Sequence, residues 1–316
     1  MTHRSMRFTL AALLVAGSSY AMAQSPWAVS PTWSHASDSD GLVIDKWTAR
    51  ALPHYRSGLE WQGVEWQQQR YTQNGQTLTG QGIHYIAQNL NALSGMGYAY
   101  KLGVNQGPER SLVTGEANWN QALNDQVEWG LFASRDWVES LPALQHQVHY
   151  DLVGGNVDYR IHPRVTLIGS LAQTHFSDGQ DRQQQRARAI WDAWPEQGVT
   201  LQWSHKHQLG EKDVAQRRYF NPERLDESMG LIGWRRKFEG WQGYARFGHG
   251  QQRIANQETT PARLAELELS SPIYGASYFK IRAGRTETFG YYQSGNDGPG
   301  YVYRYIDAQW IVQLGR

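Results

Sequence analysis

The feature that most limits what this chain can fold into is a two-residue rhythm of apolar and polar side chains. It restarts about every 10 to 14 residues, never settles into a helical period, and marks strands with two unlike faces. In "SLVTGEANW" the residues Ser111, Val113, Gly115, Ala117 and Trp119 share one face, and Thr114, Glu116 and Asn118 the other. Val127, Trp129, Leu131 and Ala133 alternate in the same way with Gln126, Glu128 and Ser134. Val148, Tyr150 and Leu152 then read as an apolar face against His149 and Asp151, and Val165, Leu167, Gly169 and Leu171 against Thr166 and Ser170. Ala187, Ala189 and Trp191 oppose Arg186, Arg188 and Asp192, while Val199, Leu201 and Trp203 oppose Thr200, Gln202 and Ser204. The pattern returns with Trp241, Ala245 and Phe247 against Gln242, Tyr244 and Arg246. Phe279, Ile281 and Ala283 follow against Tyr278, Lys280 and Arg282, and the last run sets Ile306, Ala308, Trp310, Val312 and Leu314 against Asp307 and Gln309.

Between the runs lie "NQGPER", "SDGQD", "WPEQG" and "SGNDGPG", which carry the Gly, Pro, Asn and Asp of tight connections. Recurring from Trp27 onward, the segments predict an all-β chain of about 16 strands, with 14 the lower count, since outer-membrane barrels take even numbers. "QRRYFNPERLDE" and "QRIANQETTPAR" break the rhythm and read as the long loops. "DRQQQRARAIWDAW" could be helical, but its two-residue spacing of Arg and Ala fits a strand equally well.

Composition decides between a soluble sandwich and a closed transmembrane sheet. Mean hydropathy is −0.64, yet there are 14 Trp, 17 Tyr and 32 Gly. A polar chain so rich in aromatics is not a disordered one. A lectin-like sandwich would place larger residues than Gly and Ala on its apolar face. The many small residues, with Trp and Tyr near the turns, instead fit a thin lipid-facing band bordered by aromatic girdles around a polar interior. The absence of cysteine excludes disulfides, thiolate metal sites and a cysteine nucleophile.

The first residues carry Arg4 and Arg7, the apolar run Phe8 to Gly17 and the small-residue site Ala21-Met22-Ala23. That is the layout of a secretory signal peptide over residues 1–23, too short to span a bilayer, which leaves 24–316 as one barrel domain. No lipobox cysteine is present. Removing the two arginines leaves the mature chain near neutrality, so net charge points to no nucleic-acid partner.

Candidate chemistry sits on the polar face. Glu116, Glu128, Asp151, Asp192 and Asp307, with Arg186, Arg188, Arg246, Lys280 and Arg282, are expected to line the lumen as a network of ion pairs or as a selectivity surface for a polar polymer. Tyr244, Tyr278, Tyr303 and Tyr305 lie in the same series and could offer platforms to the C–H faces of a sugar chain; alternatively they are wall or girdle residues. His205 and His207 continue the lipid-facing series of Val199, Leu201 and Trp203, which favours interfacial histidines over metal ligands. No nucleophile elbow or metalloprotease motif is found, so no catalytic residue, metal or cofactor is expected.

Two short motifs add a resemblance. "SHASDSDG", containing Asp38, Asp40 and Gly41, and "YFNPE", containing Tyr219, Phe220, Asn221 and Pro222, resemble segments in the C-terminal barrels of bacterial exopolysaccharide-export proteins. These are the exporters of poly-N-acetylglucosamine, Pel polysaccharide and cellulose, together with the YaiO-like stand-alone barrels. The resemblance implies a 16-stranded barrel in the outer membrane of a Gram-negative cell, through which a polysaccharide of the biofilm matrix leaves. It also implies an inner-membrane synthase as a partner. The exporters carry a tetratricopeptide array before the barrel, so a separate periplasmic tetratricopeptide protein is the expected guide here. A general or structural porin is the alternative, and an outer-membrane enzyme acting on glycan or lipid A the second.

Overall fold

The computed structural model of the chain describes residues 27–211, 218–287 and 301–314. The described residues form β1 (Trp27–Asp38), β2 (Val43–Ser57), β3 (Glu60–Gln73), β4 (Gln76–Leu90), β5 (Gly97–Gln106), β6 (Ser111–Ala122) and β7 (Val127–Trp137). After a short helix α1 (Leu141–Gln145) come β8 (His149–His162), β9 (Val165–Phe176), β10 (Asp181–Trp194), β11 (Val199–Gly210) and β12 (Arg224–Phe238). Then follow β13 (Trp241–Ile254), β14 (Thr260–Ser270), β15 (Ser277–Thr286) and β16 (Tyr303–Leu314).

Each strand pairs antiparallel with its sequence neighbours, and β16 returns to β1 through pairs such as Val29↔Val312 and Ala36↔Tyr305. The sheet is therefore a closed 16-stranded barrel. Closure leaves no strand edge with unpaired backbone groups, which is what allows a sheet to sit in hydrocarbon.

The alternation explains which face is which. Ile83, Leu102, Leu131, Val153, Leu171, Ile232, Phe247 and Leu267 all point outward and lie exposed on the barrel surface. The inward positions between them hold Glu65, Gln67, Gln69, His84, Asn105 and Glu266, all buried. A soluble protein would not turn its apolar side chains out and its carboxylates in; a membrane-spanning one must.

The two rims differ. On the rim where β1 begins and β16 ends the connections include the two-residue Gly58-Leu59, Pro163-Arg164 and Glu239-Gly240. Tyr98, Trp119, Tyr159, Trp194, Trp234 and Phe238 are exposed within a few residues of it, as an interfacial girdle requires. The distal rim carries the longer connections, 138–148, 211–223 and 287–302, and by the rule of short periplasmic turns it faces outward from the cell. One distal connection is a tight hairpin, where Asn74 (φ 51°) and Gly75 (φ 77°) take the two left-handed positions between paired Gln73 and Gln76.

Three sequence expectations change. "QRIANQETTPAR" is not a long loop, because β13 runs to Ile254 and β14 starts at Thr260. Helix α1 was not foreseen; Ser140 caps it, its hydroxyl accepting from the Ala143 amide, and Pro142 fits the first turn. On β8 the faces are reversed: Tyr150 and Leu152 point into the barrel, and Asp151 lies on the outer surface paired with Arg135 at 2.9 Å. The reason is height. The distal ends of these strands stand above the apolar band, so the outside is wet, while the inside is filled by apolar side chains of the connections. The segment 1–23 lies outside the described residues.

Candidate functional site

The interior has three levels. At the distal mouth the β7 to β8 connection folds across the opening. Lys46 Nζ on β2 bonds Glu139, and Gln145 Nε2 donates to Gln76 Oε1 of the β3 to β4 turn at 2.9 Å. On the other side the Ser140 hydroxyl donates to the Arg218 carbonyl at 2.5 Å, in the β11 to β12 connection. Those two connections are half a circuit apart, so the segment is a strap tied to opposite walls.

Beneath the strap Trp137, Leu141 and Leu144 merge with Ile44 and Tyr71 from one wall, Leu225 and Ile254 from the other, and Tyr301, Tyr303 and Tyr305 into one apolar cluster. A second cluster joins Val138, Ala143, Val148, Phe176 and Tyr219.

The residues of the two short motifs belong to this distal layer. Tyr219 packs on Phe176 with ring centroids 4.4 Å apart and donates to Asp178 at 2.8 Å. Burial, and then that hydrogen bond, push its hydroxyl well above the ordinary tyrosine range, so it remains a donor. Arg182 donates to the Phe220 carbonyl and to Asn221 Oδ1 at 3.1 Å, and its guanidinium lies 4.9 Å from the Phe176 ring centroid. Asn221 in turn donates to the Asp181 carbonyl at 3.2 Å, leaving Pro222, which has no amide hydrogen, to lead into β12. In the other motif Asp38 Oδ1 accepts from the Asp40 and Leu42 amides at 2.9 and 2.8 Å, and Gly41 takes φ 81°. Both motifs are therefore turn-making and loop-anchoring elements.

The middle level is polar. Glu65, 1% exposed, receives Arg50 Nε at 2.7 Å and Lys101 Nζ at 2.6 Å, and Lys101 reaches Gln67 at 2.7 Å. Glu266, 3% exposed in its side chain, gathers Arg246 Nε at 2.9 Å, Arg282 Nη2 at 2.7 Å and the Tyr305 hydroxyl at 2.7 Å. Asp307 accepts from Ser34 at 2.5 Å across the closing seam, and Lys280 pairs with Glu268 at 3.1 Å. Charges taken out of bulk water are tolerable only when so paired. A cavity of about 400 Å³ lies among Lys46, Lys101, Glu116, Ser134, Asp136 and Tyr150, directly under the strap.

The periplasmic level is narrowed on one side by Leu52, Tyr55, Ile86, Tyr278 and Ile311, with Trp61 against them.

Of the residues named from sequence, Glu116, Glu128, Arg186, Arg188, Asp192, Tyr244, Arg246, Tyr278, Lys280, Arg282, Tyr303, Tyr305 and Asp307 occupy inward register positions; Asp151 does not. The fold gathers Arg246, Arg282 and Tyr305 around Glu266, and sets Arg186 and Arg188 beside Lys206 in a recess that Arg246 also lines. Tyr278 and Tyr303 pack with apolar neighbours, and Tyr244 lies under the Arg235 guanidinium, 5.2 Å from the ring centroid. Sequence reading missed Arg50, Glu65, Lys101 and Glu266. The signal was there for two of them, since Glu65 sits between Val64 and Trp66, and Glu266 between Ala265 and Leu267. His205 and His207 face outward on β11, bonded to Ser228 and Asp226 at 2.8 and 2.7 Å. Among the described residues no three His, Asp or Glu side chains come together as a metal site requires.

No family model and no curated protein matches the chain. Solved structures do. It is similar to a bacterial polysaccharide outer membrane secretin, with a TM-score of 0.64 at 11% identity over 92% of this chain and 99% of that one. OccK5 (OpdH) of Pseudomonas aeruginosa gives 0.46 at 10% identity over 93% and 99%, and an anion-selective porin from Comamonas acidovorans 0.39 at 10% over 91% and 98%. At such identities the likeness shows the fold: an outer-membrane β-barrel of sixteen strands.

Proposed function

We propose that this outer-membrane barrel is the exit for an exopolysaccharide. The observation that carries the reading is the layering of the lumen, in which a polar, charge-linked middle section runs up to a mouth crossed by an apolar strap. A diffusion porin needs a standing opening, whereas a conduit for a polymer needs one only while the chain is threading. The full-length superposition on a polysaccharide secretin supports the same reading.

On this reading paired side chains such as Arg50, Glu65 and Lys101 exchange hydrogen bonds with sugar hydroxyls as they slide past. No covalent step is required, and the drive comes from synthesis at the inner membrane, with a separate tetratricopeptide protein as guide. The test is a deletion strain: polymer is expected to accumulate in the periplasm while synthesis continues. Normal surface polymer would overturn the reading. Rapid swelling of liposomes carrying the purified barrel in small neutral sugars would replace it with a general porin.

A further inference from the structure

The outer wall of the barrel differs from side to side at its distal margin. On β14, β15 and β16 the outward apolar series each end in an arginine: Leu267 and Ala265 lead up to Arg263, Ile281 and Ala283 to Arg285, and Ala308 and Ile306 to Arg304. On the side of β3 to β6 the outward row at the distal end is neutral, with Gln68, Gln81, Gln106 and Ser111 in direct register. Beyond that row only Arg70 on β3 carries a positive charge at an outward strand position, and Asp45 of β2 lies directly opposite it. Both sides leave the same bilayer, so the need for a polar margin does not explain three arginines on one of them.

These arginines also stand against one another. Arg285 is directly opposite Arg304 in the cross-strand register, which sets their Cα atoms about 5 Å apart. Like charges so placed weaken a sheet. One carboxylate, Glu287, is shared by Arg263 at 3.4 Å and Arg285 at 3.0 Å, and both guanidinium side chains remain more than half exposed. Arg304 is exposed beside them, with Ser37 of β1 on its other flank, and His249 of β13 is exposed directly opposite Arg263. The nearest other acid along these strands, Glu258, lies in the turn that joins β13 to β14. A cationic surface thus sits immediately above exposed hydrocarbon-facing residues such as Leu267 and Trp310.

We infer that the distal outer face of β14, β15 and β16 is a docking surface for a phosphorylated lipid of the outer leaflet. Its phosphate bridges Arg285 and Arg304, with Arg263 beside them, and its acyl chains lie along the apolar series below. A phosphate monoester carries up to two charges and three acceptor oxygens, which suits two guanidinium forks held side by side. The bridging anion also relieves the repulsion between the opposed arginines. A second barrel is a poorer occupant, because a two-fold contact centred here would bring the same arginines face to face. The surface lies outside the lumen, so the inference is independent of what the barrel passes.

The experiment uses the full chain in detergent micelles and native mass spectrometry, which reads the fraction of barrels that keep a lipid. The probes are diphosphoryl lipid A, the same lipid stripped of its phosphates, and inorganic phosphate as competitor. Diphosphoryl lipid A is expected to bind at least about tenfold tighter than the phosphate-free form, as one charge-assisted hydrogen bond suffices to give. Arg285→Gln combined with Arg304→Gln should close that gap, whereas Arg70→Gln on β3 should leave it as it is. Relief of the opposed charges leaves the double variant at least as stable as the parent in urea, which separates lost binding from lost folding. No gap in the parent, a gap that survives the double variant, or one that Arg70→Gln closes equally overturns the inference. Complete displacement of the lipid by inorganic phosphate overturns it in favour of a free-anion site. A dimer of the lipid-free protein that the double variant loses overturns it in favour of an interface between copies.

Discussion

The strap across the distal mouth is the part of the barrel whose energetics can be tested most directly. Two variants remove one polar tie to each wall and leave the Gln145–Gln76 hydrogen bond in place. Ser140→Ala deletes the cap of α1, worth about 1 kcal/mol, and the hydrogen bond to the Arg218 carbonyl, worth about 1 kcal/mol more. Glu139→Gln removes the ion pair with Lys46, whose side chains are 25% and 30% exposed, so solvent screening holds its contribution to about 1 kcal/mol. Together the three interactions removed amount to about 3 kcal/mol, on top of the burial of Leu141 and Leu144 and the Gln145–Gln76 bond that both variants keep. At about 1.4 kcal/mol per decade, the double variant shifts the closed-to-open ratio of the strap about 100-fold toward open. The assay is single-channel recording in planar bilayers, reading the fraction of time spent conducting. The chain lacks cysteine, so Gln76→Cys with Gln145→Cys supplies the converse. A short bifunctional thiol reagent across that pair should abolish the openings of the double variant, and reducing the linker should restore them. An open fraction unchanged in all three proteins would refute the strap as the closing element.

Two other outcomes follow from the barrel wall. Ile83, 63% exposed on the apolar band, should cost about 2–4 kcal/mol as Ile83→Arg, whereas Gln68→Arg, outward but farther toward the distal rim on the neighbouring strand, should cost near zero; urea unfolding from lipid vesicles reads both, and equal costs would contradict the placement of the band. Glu266→Gln leaves Arg246, 12% exposed, without its carboxylate and should lose about 2–3 kcal/mol in the same measurement. Glu268→Gln, whose partner Lys280 is 38% exposed, should lose under about 1 kcal/mol. A larger loss at Glu268 would mean the interior charges are held differently.

The membrane band was the most legible part of the sequence because lipid imposes one rule on every strand it touches. Val113, Trp129, Leu167, Trp203, Phe247 and Trp310 all fall on the face the alternation assigned, although each strand alone is a weak signal. The rule stops where the bilayer stops. On β8 Tyr150 and Leu152 turn inward near the distal end, Tyr150 packing against the cluster beneath the strap, so the same alternation read outward there gave the wrong side for Asp151. Helix α1 was invisible for a related reason, since LPALQ is too short to show a helical period and forms because Leu141, Ala143 and Leu144 find apolar partners beneath them.

The interior was legible one residue at a time and not as a site. Alternation placed Arg246, Arg282 and Tyr305 on the inner face, yet what joins them is Glu266, held beside them by the stagger of β13 to β16. Strand stagger is fixed by closure of the whole barrel, and no local stretch of sequence states it. Glu65 shows the same thing, gathering Arg50 from the directly opposite position of β2 and Lys101 from β5, across β4, onto one carboxylate. The two aromatics of "QRRYFNPERLDE" belong to this class as well. Tyr219 and Phe220 acquire their role only from Phe176, Asp178 and Arg182, which belong to a different hairpin. What breaks the two-residue rhythm there is a contact made by the closed barrel. Residues outside a strand's lipid-facing series are therefore the ones whose partners must be read from the fold.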